Sequence, residues 1–111
     1  MKLGKIGGTP TILGGMDKSL IDAVIQRNIR QIQYCYHRQL SKHPSLAGKL
    51  IVKFVISKSG SVSKANIEES TFAEAGKEFE SCVTTRFKRF QFPKPNGGIV
   101  IVKYPFVFSS N

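Results

Sequence analysis

Acidic side chains are scarce in this sequence. It has 7 Asp and Glu residues against 17 Lys and Arg residues, which gives a net charge of +10 over 111 residues. Such an excess bears on partners and solubility rather than on the fold. Nucleic acid, anionic lipid, an acidic cell-wall polymer and an acidic protein are all open as targets. Because only Arg86, Lys88 and Arg89 are closely grouped, we interpret most of the charge as a solvated surface.

Long apolar stretches are also lacking. No segment comes close to the roughly 18 consecutive apolar residues that a membrane-spanning helix needs. Met1 leads into lysine and glycine rather than into the apolar core of a signal peptide. Residues 1–16 are rich in glycine, and we predict the flexible end of a linker there, followed by one domain over residues 17–111. We therefore expect an excised domain whose export signal and membrane anchor lie upstream.

Catalytic and metal-binding motifs are missing as well. A catalytic nucleophile needs an adjacent base and an orienting group, and no such pattern occurs. His37 and His43 come without further ligands at suitable spacing for a metal. The Gly97-Gly98 pair is followed by neither a Lys-Ser/Thr pair nor a helix start, so it is not a phosphate loop. We expect a protein that is not an enzyme and that holds no cofactor or metal.

Periodic apolar positions are present through most of the chain. Residues 17–42 repeat apolar side chains every three or four positions, which predicts an amphipathic helix with Asp17 as its N-cap. Residues 48–57 carry apolar side chains on both faces, which is typical of a central strand. A turn leads to residues 62–70, whose more polar composition predicts an edge strand.

A second amphipathic helix is predicted over residues 73–89, with Thr71 and Glu74 as a capping box. Residues 93–98 hold two prolines and two glycines, and we predict a loop there. A third strand follows over residues 99–108, and a right-handed crossover places it beside the first strand. The order α-β-β-α-β predicts an α+β fold. It has a three-stranded antiparallel sheet of order 2-1-3, with two helices packed on one face.

Two cysteines fall on the apolar faces of the two predicted helices, Cys35 on the first and Cys82 on the second. Two helices that share one sheet face can bring such residues within bridging distance. We favour a disulfide over two buried free thiols, and a disulfide indicates an oxidising compartment.

The third strand is the candidate interaction site. It is long and apolar, and we predict it at a sheet edge, where Pro105 is tolerated. An exposed apolar edge is a hazard unless it is covered or used. Either a partner peptide adds a strand there by β-augmentation, or the N-terminal segment or a second copy of the domain covers it. The residues concerned are Ile99, Val100, Ile101, Val102, Lys103 and Tyr104.

The sequence from Val83 to Phe108 resembles the C-terminal domain of TonB-type energy transducers. The residues that carry this resemblance are Arg86, Phe87, Phe90, Phe92, Pro93, Pro95, Gly97 and Gly98. The region from Gly48 to Val62 resembles the hairpin of that family. A narrower resemblance is to the AgmX/PglI C-terminal type of myxobacterial and related gliding-motility proteins. It is carried by Tyr34-Cys35-Tyr36, Leu40, Pro44, Leu46, Gly48-Lys49, Cys82 and Tyr104-Pro105-Phe106-Val107-Phe108.

The resemblance implies the periplasmic domain of an inner-membrane-anchored protein. Such a protein couples a proton-driven motor to an outer-membrane or periplasmic partner. The partner would supply a short peptide strand to the last strand, here Ile99 to Tyr104. The gliding branch implies transmission of motor force across the envelope. A homodimer formed through the same strand stays open.

Two alternatives to a protein-binding domain remain. A nucleic-acid-binding module related to KH domains would fit the charge and the order of elements. That class needs a Gly-x-x-Gly loop between two helices, which the sequence lacks, and its aromatic residues lie at apolar positions rather than on an open basic sheet. We therefore expect no nucleic acid as partner. The other alternative is a domain that binds a cell-wall polymer.

Overall fold

The protein is represented by a computed structural model, which describes residues 5–6, 8–72 and 76–109. Its elements in chain order are β1 Lys5–Ile6, β2 Thr11–Gly15, α1 Lys18–Arg27, α2 Ile29–Leu40, β3 Gly48–Ile56, β4 Val62–Ser70, α3 Lys77–Phe87 and β5 Asn96–Phe108. Within these ranges no helix is long and apolar enough to cross a membrane.

The first predicted helix is divided into two, α1 and α2. Asn28 separates them with φ −108° and ψ 9°. Both its backbone N–H and its side-chain amide donate hydrogen bonds to the Val24 carbonyl, at 3.2 and 2.8 Å, which fastens Asn28 to the last turn of α1. Asp17 stands at the N-cap position of α1 as predicted, although its side chain makes no capping hydrogen bond.

The three predicted strands pair in the predicted order, because β3 lies between β4 and β5 and both pairs are antiparallel. The prediction of three strands is wrong, however. β1 and β2 both pair with the outer side of β5 and give a sheet of five strands. The described part of the predicted flexible linker end is thus built into the sheet. A glycine-rich segment forms strands here because β5 offers main-chain partners that would otherwise be unpaired.

Alternation along β3 and β5 gives the sheet a covered face and an open face. The even-numbered residues from Leu50 to Ile56 and from Val100 to Phe108 are buried in the core, whereas most odd-numbered residues between them are half-buried. All three helices contribute to the same core, as expected for helices on one face. Their largest fully buried side chains are Ile21, Ile25, Ile32, Tyr36, Phe79 and Phe87.

Residues Asn96 to Gly98 were predicted as loop, but they form the start of β5. Gly97 and Gly98 have φ values of 77° and 117°, which glycine adopts without the strain that other residues would meet. A strand that begins on such residues is hidden from a composition-based prediction, because two adjacent glycines usually mark a loop.

Thr71 does not cap the second predicted helix. Its Oγ1 accepts a hydrogen bond from the Lys49 backbone amide at 2.9 Å, so it ties the end of β4 to the start of β3. The N-cap position of α3 is Gly76. Glu74, the predicted second member of the capping box, lies outside the described residues.

The predicted disulfide is confirmed. Cys35 of α2 and Cys82 of α3 are bonded, and their Cα atoms are 5.7 Å apart. The bond joins neighbouring helices on the covered face of the sheet. It therefore fixes the spacing of α2 and α3, and with it the relative positions of the side chains on their outer surface.

Candidate interaction surfaces

The residues predicted to form a partner-binding edge lie in the middle of β5. Val100, Val102 and Tyr104 are buried in the core, so only main-chain groups and the alternate side chains on the open face are within reach of a partner. The prediction of a free edge is wrong for this structure. β2 covers it, with Thr11 opposite Lys103, Ile12 opposite Val102 and Leu13 opposite Ile101. Of the two interpretations left open, cover by the N-terminal segment is the one observed.

β2 is a thin cover for such a long strand. It has five residues against thirteen in β5, and all except the half-buried Ile12 are exposed. Leu13 keeps 59% of its surface in solvent. The register of the pair also shifts between Leu13 and Gly15. Main-chain hydrogen bonds rather than side-chain burial hold β2 in place, and a segment of this kind opens at low free energy.

The glycines of β2 fit closely against β5. A Cβ atom on Gly15 would lie 2.1 Å from the Asn96 carbonyl oxygen, and one on Gly14 would lie 2.8 Å from the Ile99 carbonyl oxygen. No side chain is tolerated at such distances without movement of the backbone. β2 therefore buries little side-chain surface, yet its fit against β5 requires glycine at positions 14 and 15.

Pro105 lies in the gap between the two covering strands. β1 pairs with Phe106 and Val107, whereas the pairing of β2 stops at Lys103. Proline has no N–H group to give to a neighbouring strand. The gap thus falls where an outer strand would gain least, which explains how a proline is accommodated within a strand of a larger sheet.

The opposite edge strand, β4, is protected against strand addition. Its register with β3 shifts twice along nine residues. It also carries three charged side chains, Lys64, Glu68 and Glu69. Bulges and charges of this kind are devices by which edge strands avoid pairing with other chains. The outer side of β5 is therefore the better candidate for strand addition.

A second surface lies on the outside of the helices. All five arginines of the chain fall on a helix or within two residues of its end, and they are Arg27, Arg30, Arg38, Arg86 and Arg89. Within the described residues none of them forms an ion pair with a carboxylate, whereas Lys18, Lys42 and Lys103 each do. We call the group formed by Tyr34, Arg30 and Arg38 of α2 with Arg86 and Arg89 the arginine surface.

Tyr34 is the centre of the arginine surface. Its side chain is half exposed, and the guanidinium carbons of Arg38 and Arg86 lie 5.8 and 5.4 Å from the ring centroid. A cation–π contact at such an exposed site is worth about 0.5–1 kcal/mol. Beside the ring runs a shallow cleft of about 300 Å³. Its lining residues are Arg38, Glu78, Ser81, Cys82, Thr85, Arg86 and Arg89.

The one carboxylate in the lining of this cleft is already neutralised. Lys42 Nζ lies 2.8 Å from Glu78 Oε2, and the hydrogen bond and charge of Lys42 lower the pKa of Glu78 below its ordinary value. The charge of Arg38 also contributes to lowering the pKa of Glu78, but one carboxylate faces Lys42 and three arginines, so the described part of the cleft keeps an excess of positive charge.

The scattered positions of the arginines in the sequence predicted a solvated surface, and this prediction missed the convergence of Arg38, Arg86 and Arg89 on one cleft. Part of the signal was in the spacing, because Arg30, Tyr34 and Arg38 lie four positions apart on α2 and so share one side of that helix. Arg86 joins them only through the packing of α3 against α2. His37 and His43 are exposed, and no three potential metal ligands gather within the residues that the structure describes.

No protein-family model matches the chain, and no curated protein matches it. Among solved structures, the chain is similar to the NMR solution structure of the Helicobacter pylori TonB-CTD. The two share 19% sequence identity and a TM-score of 0.48, over 83% of this chain and 89% of that chain. A similarity of this size carries no information about a binding site or a partner.

Proposed function

We propose that this chain is a periplasmic protein-binding domain of a TonB-like energy transducer, in which a partner strand replaces β2 along β5. The observation that carries the proposal is the pairing of a thirteen-residue apolar strand with a five-residue, largely exposed one. A strand from another protein would make the same kind of main-chain hydrogen bonds that β2 makes. The exchange then depends mainly on side chains.

The open face of the sheet beside β2 has exposed apolar surface that a partner strand could bury. Ile99 is 54% exposed, and the neighbouring pair formed by Ile101 and Val55 is only half-buried. A partner strand with apolar side chains on this face would bury more of that surface than β2 does. Each 100 Å² of additional apolar burial favours binding by roughly 2.5 kcal/mol. Alternate side chains of the partner would thus set specificity.

The disulfide supports the periplasmic part of the proposal, because disulfides persist in oxidising compartments and are rare in the cytosol. We extend the proposal to an inner-membrane anchor, a proton-driven motor and an outer-membrane or periplasmic partner. A role in gliding motility of the AgmX/PglI type, and a binding rather than an enzymatic role, belong to the same proposal. These extensions are supported by the sequence resemblance alone.

The experiment uses a synthetic copy of residues 8–16 as the partner strand. Added to the ¹⁵N-labelled chain, it competes with the chain's own β2, whose effective concentration is of millimolar order because it is tethered. We expect chemical-shift changes along β5 only near millimolar peptide. In Gly15→Ala the new Cβ weakens the tethered strand, so the same changes should occur at about tenfold lower peptide concentration.

Ser19→Ala, an exposed change in the first turn of α1, is the matched control and should behave as the unaltered chain. Amide exchange of β2 shows independently whether Gly15→Ala has released it. A variant with released β2 that binds the peptide no better, or that binds it away from β5, would refute strand exchange.

A further inference from the structure

We propose that the arginine surface is a second binding site, and that its ligand is an acidic protein segment whose carboxylates enter the cleft between α2 and α3. This site is on the helices, whereas the proposed strand exchange concerns the sheet edge. Neither proposal depends on the other.

Charge is the first argument. The chain carries a net charge of +10, and its five arginines form no ion pair with a carboxylate among the described residues. Three of them, Arg38, Arg86 and Arg89, line one cleft. The single carboxylate of the cleft, Glu78, is paired with Lys42, so the positive charges are in excess and repel each other, and an incoming anion relieves that repulsion.

The geometry of the guanidinium groups is the second argument. The guanidinium carbons of Arg38 and Arg86 lie 5.8 and 5.4 Å from the centroid of the Tyr34 ring, and a guanidinium that stacks on an aromatic face keeps its N–H edge available. That edge is a rigid fork of donors which matches a carboxylate through two parallel hydrogen bonds. Tyr34 therefore orients the two groups before the ligand arrives, which reduces the entropy lost on binding.

The shape of the surface favours a peptide over other polyanions. Arg30, Tyr34 and Arg38 are four positions apart along α2 and span roughly 12 Å at the helical rise of 1.5 Å per residue, and Arg38 lies in the lining of the cleft. Membrane-surface helices insert a row of apolar side chains, whereas Tyr34 is the one large apolar side chain exposed on this surface among the described residues. Single-stranded nucleic acid needs open aromatic faces, but guanidinium groups occupy this ring.

The test measures binding of decaglutamate to the full chain at low salt. We expect the pair of changes Arg38→Gln and Arg86→Gln to weaken binding by about thirtyfold or more, since each removes a bidentate contact. The control pair Lys58→Gln and Lys94→Gln removes the same charge from exposed positions outside the lining of the cleft, and it should weaken binding less than about threefold.

Two further variants separate charge from geometry. Arg38→Lys with Arg86→Lys keeps the charge but loses the fork, so we expect a loss of about tenfold. Tyr34→Leu should weaken binding, whereas Tyr34→Phe, which keeps the ring, should not. Amide spectra of each variant confirm that it is folded before binding is compared.

Phosphatidylglycerol vesicles, a single-stranded DNA oligonucleotide and decaglutamine are the comparison ligands. Decaglutamate binding that depends on Arg38 and Arg86, with no comparable dependence for vesicles or DNA, supports the proposal. Equal losses in the arginine and lysine pairs would overturn it in favour of diffuse charge attraction. Vesicle or DNA binding that is lost with the arginines while decaglutamate binding is unchanged would overturn it in favour of that polyanion.

Discussion

At the scale of single residues, one hydrogen bond joins the buried face of the sheet to α1. The Tyr104 hydroxyl donates to Asp22 Oδ1 at 2.6 Å, and Lys18 Nζ lies 2.5 Å from Asp22 Oδ2. Burial, together with the hydrogen bond and charge of Asp22, raises the pKa of Tyr104 above its ordinary value of 10.0. Partial burial tends to raise the pKa of Asp22, but the hydrogen bonds from Lys18 and Tyr104 outweigh it and lower that pKa below 3.8.

We expect Tyr104→Phe to lower the free energy of unfolding by about 1–2 kcal/mol at neutral pH, because it removes a hydrogen bond to a charged group. Urea unfolding at a series of pH values measures the difference between the two proteins. The raised pKa of Tyr104 makes this difference fully present below about pH 10 and lost as pH rises through the folded-state pKa. Because the pKa of Asp22 is lowered, the difference in free energy of unfolding between the two proteins also decreases as pH falls below about 4. Equal stability of the two proteins at neutral pH would contradict this account.

At the scale of elements, strands of one sheet differ in how firmly they are held. β3 is paired on both sides along its length, and its residues Leu50, Val52, Phe54 and Ile56 have no exposed surface. β2 is paired on one side only and is almost wholly exposed. The two strands therefore belong to different levels of local stability.

We predict that the amides of β2 exchange with solvent at least about a hundredfold faster than those of β3, because β2 opens without unfolding the core. Native-state hydrogen exchange followed by NMR measures both strands in one sample. Amides of α2 that exchange at the β3 rate are the internal reference for global unfolding. If β2 exchanged as slowly as β3, it would be a permanent part of the cooperative unit and strand exchange would lose its basis.

The elements that could be predicted from the sequence are those whose side chains decide them. The apolar content of residues 48–57 on both faces and the more polar composition of residues 62–70 predicted β3 and β4 nearly to the residue. The bounds of β2 could not be predicted, because its glycines form a strand only where unpaired N–H and C=O groups of β5 are available to bond with them. The helix break at Asn28 was hidden for a related reason, since the apolar period continues across it.

In the candidate sites too, the features set by spacing within one element could be predicted, whereas those set by the packing of two elements could not. The right-handed crossover predicted the position of β5 beside β3, but whether a partner, a second copy or the N-terminal segment would pair with its outer side could not be decided from the sequence. In the arginine surface, Tyr34 and Arg38 share a helix and their proximity follows from spacing. Arg86 comes from α3, and only the packing of two helices brings it to the ring.

At the scale of the whole molecule, the described residues span 44 × 20 × 19 Å. The two proposed sites lie on separate parts of it, one on the outer side of β5 and the other on the outward side of α2 and α3. A strand bound to β5 would leave the cleft open. The disulfide between Cys35 and Cys82 links the helices that form the cleft, so it bears on both stability and the second site.

The disulfide closes a loop between residues 47 positions apart. In the chain-entropy account, a loop of that size stabilises the folded state by roughly 4 kcal/mol, because the bond restricts the unfolded chain. For a domain of this length, that is a large share of the total free energy of unfolding. We therefore expect the pair Cys35→Ala and Cys82→Ala to lower the free energy of unfolding by about 3–4 kcal/mol in urea. Adding reductant should lower the free energy of unfolding of the unaltered chain by a similar amount and should not change that of the double variant. If the double substitution and the reductant each lowered it by less than about 1 kcal/mol, packing of α2 against α3 would suffice without the bond.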